Sequence, residues 1–592
     1  MAERKSSGKK TKYVVCFTVL WLLQMAAAFW FCTQKQGFHE DEFYTYYSTA
    51  RTNGFYVEDG KWMERDEYRN EFVVLPGERF QYGLVKQVQS WDVHPPMYYW
   101  VFHTVASFVP GVFSKWTGLS VNLFFHGINL ILLTYLSYLA AGRDERLPFF
   151  VTFVYGFSPA SMSGVVFIRM YEMLTTFVLL TAFLHVRVMV REEEGGRVTG
   201  KTFLAMAAVT YVGFLTQYYY FIFLFFLAIA FCVWLMLRDR NIWNCLRYGI
   251  FQGVAFVLAY LTYPSFPGQM FKGQRGAQAT ENFFNLSNTF ERLQFFWDLM
   301  NRYVFGGLLG LMLLFLAAGA VAMRLQNGRG ERKRAGLRWR ESAEKTRNEQ
   351  SRQPAEETAS HGASFYMLLF AAAGYFLTVS KTALLLGGTS NRYQLPVYGI
   401  AALLLFLGAV KVVRQAGTRY VKEKRRDTEA VPPVCTGWRE KRMTGVAAAF
   451  CLAVVALSFV RADVEFLYQE AAEAVALARE QTAAHIPAVY IYKPGEEWCI
   501  WAVADELMEY DRVYFASAAS EDAITEPAIA EADAVVVYTP RYEDVKDEEA
   551  QCMRIPSGNG NLSEGHLQYS HKFCTEWYYC GDGGAWNSAA QP

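Results

Sequence analysis

The chain has 592 residues, with 57 Lys+Arg against 56 Asp+Glu, 53% hydrophobic and only 19% charged residues. A net charge of +1 excludes a nucleic-acid binder working through a basic surface. Aromatic residues at 17% exclude a disordered chain, and ten Cys in this length exclude a disulfide framework.

Apolar runs long enough to cross hydrocarbon, about 20 residues each, are expected at 13–32, 119–141, 147–167, 170–190, 202–217, 218–237, 247–265, 302–323, 363–386, 395–413 and 443–460. The first is too long for a cleaved signal peptide and lacks its small-residue cleavage site. A further apolar segment, 96–115, opens on His-Pro-Pro, carries His103 and is broken by Pro110 and Gly111.

Lys and Arg set the expected orientation. The N-terminus 1–12, which contains RKSSGKKTK, is expected in the cytoplasm. Loops 324–362 and 411–442 carry ten basic residues each, against six and four acids, and are expected there too. Residues 461–592 hold eight basic residues against 24 acids and are expected outside. Loop 187–201 is basic near its helix ends and should be inside, whereas 33–95 should be outside. An odd number of crossings must separate these two loops, so one of the four apolar segments between them does not span. Segment 96–115 is the one expected to lie along the interface, and GRDERLP (142–148) then falls inside. About 11 transmembrane helices remain.

Outside the first span, HEDEFYTYYSTA (39–50) places Glu40, Asp41 and Glu42 at the membrane surface. The plain reading is a solvated acidic cap with an aromatic belt. The far end of the same loop, WDVHPPMYYW (91–100), sets Asp92 and His94 beside two prolines that fix an extended backbone. IRMYE (168–172) puts Arg169, Tyr171 and Glu172 at a helix junction, where snorkelling is the plain alternative. LTQYYYF (215–221) contains Gln217 and Tyr218 and reads most simply as a belt. The outer loop 266–301 is rich in Gly and Gln and is expected to be mobile. TSNRYQLP (389–396) brings Arg392 and Tyr393, with Lys381 one helix earlier. A guanidinium there can hold a phosphate with two hydrogen bonds.

The tail is expected to be a small α/β domain. AVYIY (488–492), RVYFA (512–516) and AVVVYT (534–539) read as buried strands, and WCIWAVADELMEY as a helix between the first two. Cys499, Cys552, Cys574 and Cys580 allow three pairings, among which sequence does not choose.

All these polar sets fall on one face. Carboxylates can activate a hydroxyl or hold a divalent cation, for which Asp41 and Asp92 are the candidates; cations can hold a phosphate. Nucleotide-activated substrates are scarce outside a cell, so a phosphate donor there would be lipid-linked. The combination points to group transfer at the membrane. The alternative is a transporter or flippase for a lipid-linked or anionic substrate, whose polar residues would sit at the bilayer midplane.

The ordered motifs Asp41-Glu42, Asp92-x-His94-Pro95-Pro96-Met97-Tyr98-Tyr99, Arg169-x-Tyr171 and Arg392-Tyr393 followed by Pro396 resemble the C-type glycosyltransferases that use polyprenyl-phosphate sugars. The nearest branch comprises the bacterial relatives of protein O-mannosyltransferases and of the lipid A aminoarabinose transferase. The resemblance covers roughly 13–413; Gln217-Tyr218 stands where relatives often have His-Tyr, and the tail matches nothing in the family. It implies a fold of transmembrane helices with interfacial helices in the first outer loop; with the residue readings above, the expectation is an all-α polytopic membrane domain (13–460) followed by an extracytoplasmic α/β domain (461–592). The resemblance also implies inverting sugar transfer from a polyprenyl-phosphate donor to a glycan, lipid or protein at the outer face of the plasma membrane. Asp41 would be the general base, and Glu42 and Asp92 would orient the acceptor or hold a cation. Arg392, Arg169 and Lys381 would bind the lipid phosphate, with His94, Tyr171, Gln217, Tyr218 and Tyr393 completing the substrate site.

Overall fold

The computed structural model describes residues 2–50, 57–239, 242–341, 357–427, 434–541, 548–562, 564–571 and 574–581. Parts of both expected cytoplasmic loops, 342–356 and 428–433, lie outside the described residues, as do the side chains of the basic N-terminus.

Among the described residues, eight helices are long and apolar enough to cross a membrane. Leu147–Gly156 and Pro159–Val166 pass the same test only together and meet at a bend of 58°, the geometry of a broken span or a re-entrant loop. The break has a local cause. Ser158 is extended and its hydroxyl accepts the Ser161 N–H, while Pro159 occupies the first helical turn, where it needs no donor. Two shorter apolar helices, Gly200–Thr216 and Leu309–Leu325, lie within or across two more of the runs expected from sequence. The chain is thus a multi-pass helical membrane protein.

The segment expected not to span is a ten-residue helix ending in a turn, about 15 Å long and too short to cross. The parity argument gains a direct check at the opposite end of the bundle. Arg143 pairs with Glu194, Asp144 with Arg414, and Glu192 with Arg238 at 3.4 Å. Loops 142–146 and 187–201 therefore share one side.

Helix α1 (Ala2–Gln34) delivers the chain to the face that carries the polar motifs. The chain after the first span then folds as α2 (Glu40–Ala50), strand β1 (Lys61–Glu64), α3 (Arg65–Asn70), α4 (Tyr82–Trp91) and α5 (Met97–Ala106). The loop at 266–301, expected to be mobile, is instead three helices, Phe266–Phe271, Gln274–Phe284 and Thr289–Tyr303.

The tail contributes β2 (Ala488–Tyr492), β3 (Arg512–Ser517), β4 (Ala534–Pro540), β5 (Glu564–Ser570) and β6 (Cys574–Cys580). The first three are the strands expected. The helix expected between β2 and β3 is a 3-10 segment, Glu497–Val503, running into a single turn, Ala504–Leu507. The six-stranded sheet has the order β1-β3-β2-β4-β6-β5; β2 lies parallel to β3 and β4, and the other pairs are antiparallel. Its first edge strand comes from the loop after the first span, about 450 residues away in sequence, with Lys61 opposite Phe515 and Glu64 opposite Arg512.

The sheet is buried on both faces, and alternation along β2 sorts the two. Ala488, Tyr490 and Tyr492 join the core that runs on into the membrane helices, whereas Val489 and Ile491 join a second core under the helix Glu548–Gly558. Trp501 carries the contact toward α2, with ring centroids 4.1 Å from Tyr44 and 4.8 Å from Tyr47. Cys574 and Cys580 stand at opposite ends of β6, about 20 Å apart at ~3.3 Å per residue, so they cannot bond to each other.

Candidate functional site

Four distant stretches of chain converge on Asp41. The Asp41 carboxylate lies 3.1 Å from Arg392 Nη2 and 3.8 Å from His39 Nδ1. Arg169 Nη1 donates to the Asp41 carbonyl (3.1 Å) and to the Tyr99 hydroxyl (3.0 Å). Arg169 Nη2 lies 3.4 Å from His94 Nε2, and His94 Nδ1 lies 3.0 Å from Asp92 Oδ2. Along Arg392–Asp41–Arg169–His94–Asp92 each carboxylate meets a cation or an imidazole, so neither carboxylate is stranded.

Each member is held by its own local structure. Arg392 sits in the 3-10 turn Gly387–Tyr393. Ser390 pins that turn to the Leu386 N–H and the Leu384 carbonyl, and the Tyr375 hydroxyl donates to the Tyr393 carbonyl. The Arg392 guanidinium is 5% exposed and lies against three rings, Phe167 and Tyr393 at 5.0 Å and Phe466 at 5.9 Å. Its Nε and Nη1 are buried and make no hydrogen bond. Arg169 follows the broken crossing; Asn122 donates to the Val165 and Phe167 carbonyls and fixes that loop. Asp92 and His94 are positioned from across the site: the Gln269 amide donates to the Asp92 and Gln89 carbonyls, and Tyr218 donates to Gln269.

Asp41 retains 30% of its side chain exposed. Burial alone would raise its pKa, but Arg392 and Arg169, aided by His39 and His94, hold the carboxyl well below the usual carboxylate range. Burial also opposes ionisation of Asp92, and His94, followed by Arg169, again outweighs it. Both carboxylates are therefore ionised at neutral pH.

Two expectations need correction. Glu42 does not face the site. It is fully buried, paired with the fully buried Lys35 at 2.9 Å, and accepts the His39 and Ile168 N–H groups. By holding Ile168 it positions Arg169; it has no exposed oxygen left for an acceptor. Lys381 does not join Arg392. Its three protons go to the Asn285 carbonyl, Asn288 Oδ1 and Thr289 Oγ1. Asp41 and Asp92 each face a cationic or imidazole side chain, and the group of three metal-type ligands found among the described residues lies elsewhere.

Tyr171 and Tyr393 line the site edge to face, with centroids 5.9 Å apart. Gln217 ends its helix, its side-chain oxygen accepting the Tyr219 N–H, and so serves the turn that carries Tyr218. Glu172 is turned away from Arg169 and accepts from Asn129 Nδ2 at 2.7 Å, with His126 at 3.4 Å. Four contributors were given no role by sequence reasoning: His39, Tyr99, Gln269 and Phe466. His39 lies in the segment 39–50 and Tyr99 in the Asp92–Tyr99 motif. Gln269 and Phe466 had no local signal, because their roles depend on packing between distant segments.

No family model matches the chain, and no curated protein matches it. Among solved structures, it is similar to ArnT from Cupriavidus metallidurans bound to undecaprenyl phosphate, at 10% identity over 97% of this chain and 98% of that one, with a TM-score of 0.49. The apo state of the same protein gives 0.46 at the same identity and coverage. The archaeal oligosaccharyltransferase AglB from Archaeoglobus fulgidus, in complex with an inhibitory peptide and a dolichol-phosphate, gives 0.43 at 10% identity over 95% of this chain and 74% of that one.

Proposed function

We propose that the chain is a membrane glycosyltransferase that moves a sugar from a polyprenyl-phosphate donor to an acceptor hydroxyl or amine at the outer face of the membrane, with inversion at the anomeric carbon. The observation that carries this reading is Arg392. A buried guanidinium with one nitrogen on a carboxylate and two others unpartnered is poised for a second anion. Desolvation makes such a vacancy costly unless an anion completes it.

In the proposed reaction the donor phosphate takes the free Nε/Nη1 edge of Arg392. The acceptor attacks C1 of the sugar from the opposite face, the C1–O(phosphate) bond breaks, and polyprenyl phosphate departs with the electron pair. Asp41 receives the acceptor proton. The leaving group needs no protonation, so one base suffices. A strongly acidic carboxyl is a poor base, and donor binding supplies the remedy. A phosphate that draws on Arg392 lessens its hold on Asp41 and raises the basicity of Asp41 when substrate is present. Arg169 fixes the Asp41 backbone, while the Asp92–His94 pair holds Arg169 in place and offers a polar wall to the acceptor.

The fully buried Glu172–Asn129–His126 group gives the transporter alternative its one foothold, an acid among the membrane helices. Purified protein incubated with labelled polyprenyl-phosphate sugars and mixed acceptors separates the two readings. Release of polyprenyl phosphate by the wild type but not by Asp41→Asn is expected. Donor movement across vesicles without release would favour transport.

A further inference from the structure

A second polar cluster lies in the tail, away from Asp41 and outside the reaction just described. Glu506 comes from the single turn Ala504–Leu507, His571 from the end of β5, and Glu576 from β6. Glu506 and Glu576 are 3% and 1% exposed. His571 Nε2 stands 3.6 Å from Glu506 Oε2 and 3.6 Å from Glu576 Oε2, and the ligand atoms of all three residues lie within 4.8 Å of one another.

These separations are too long for hydrogen bonds. His571 Nε2 and Glu576 Oε2 make none. An imidazole nitrogen and two carboxylate oxygens thus converge at ion-pair rather than hydrogen-bond distance. Bond lengths of ~2.0–2.2 Å to nitrogen and oxygen in a tetrahedral site put neighbouring ligands about 3.4 Å apart, close to the two 3.6 Å separations from His571 Nε2. The surroundings match the support that metal ligands require: the Tyr538 hydroxyl donates to Glu506 Oε2 (3.3 Å), and Tyr510 stands behind it, 3.2 Å from that hydroxyl. Tyr538 is also the register partner of Glu576 across the β4–β6 pair.

We propose that Glu506, His571 and Glu576 bind a zinc-class divalent cation that pins the β5–β6 hairpin to the turn Ala504–Leu507. One nitrogen and two oxygen ligands suit zinc, with a fourth position left for water. The location gives the cation a structural role. The turn follows directly on the segment that seats Trp501 against Tyr44 and Tyr47. Asp505 reaches the first outer loop, its Oδ2 lying 3.3 Å from where a Cβ on Gly37 would stand. The cation would therefore lock the sheet onto the loop that bears Asp41. This inference does not depend on the transferase reading.

The test uses the full chain in detergent, stripped with a chelator, incubated with zinc chloride, desalted and assayed for metal by mass spectrometry. The wild type should retain about one zinc per chain, and saturating zinc should raise its Tm by several degrees, as a ligand of the native state must. Glu576→Gln and His571→Asn should each lose most of the zinc and the Tm response, whereas Asp41→Asn should keep both. Wild type that retains no zinc overturns the proposal whatever the variants do. Retention by the Glu576→Gln/His571→Asn double variant at the wild-type level overturns it equally.

Discussion

Asp41→Asn separates catalysis from donor binding in a way the geometry makes quantitative. The substitution keeps the shape of the side chain and removes its charge. Turnover should fall ~10²–10⁴-fold, the usual loss for a general base. Lipid-phosphate affinity should move the other way. With phosphate on the free edge of Arg392 and Asp41 on Nη2, two anions would share one guanidinium at a separation of about 7 Å. Asp41 is 30% exposed, so an effective dielectric of about 40, between buried pair and water, is appropriate. The repulsion is then about 1 kcal/mol, and its removal should tighten polyprenyl-phosphate binding about fivefold. Affinity is measured by displacement of a fluorescent polyprenyl phosphate from the purified protein, and turnover by release of labelled lipid. Weakening of binding tenfold or more in Asp41→Asn would mean that the carboxylate holds Arg392 in place, and the base assignment would fail. Unchanged turnover would refute it outright.

Arg392→Ala should weaken lipid-phosphate binding by ~2–5 kcal/mol with Arg392→Lys recovering only part, because an ammonium lacks the planar fork; the same displacement assay reads both. Lys381→Ala should shift that affinity less than twofold, since its protons are spent on the segment 285–289; a loss like that of Arg392→Ala would return Lys381 to the phosphate site. Glu42→Gln should cost ~3–5 kcal/mol of stability by stranding the buried Lys35, seen as a lowered Tm in detergent; a normal Tm with abolished turnover would instead make Glu42 a reacting group. With Asp41 and Asp92 both held below the usual range, protonation begins only as pH falls through those low pKa values, so kcat/KM should show no acid limb at or above ~4. An acid limb in the imidazole range, ~6–7, would move the base to a histidine.

How much of this was legible in the sequence varied with the range of the interaction. Membrane crossings announce themselves locally, and charge parity sufficed to reject segment 96–115 as a span. Strands β2, β3 and β4 were readable because continuous apolar runs mark strands buried on both faces. Strand β1, KWME, was not readable: four amphipathic residues become a strand only beside Arg512–Phe515. β5 and β6 escaped for a related reason, since their polar, aromatic alternation gives no apolar run. Within the site, the Asp-x-His-Pro-Pro and Arg-Tyr motifs named residues that do converge. Adjacency misled at Glu42, because one step along a helix turns a side chain by about 100°. Asp41 faces Arg392 and Glu42 faces Lys35. Lys381 misled because a cation near a helix end says nothing about which carbonyls cap it.

The central claim, that the bond broken lies between sugar C1 and the phosphate oxygen, can be tested with a donor carrying ¹⁸O at that bridging position. Mass spectrometry of both products after turnover decides the matter. Sugar transfer as described leaves the ¹⁸O on the released polyprenyl phosphate and none in the glycosylated acceptor. Label in the acceptor product would mean cleavage at phosphorus, and the chain would be a phosphoryl transferase with Arg392 and Asp41 in other roles.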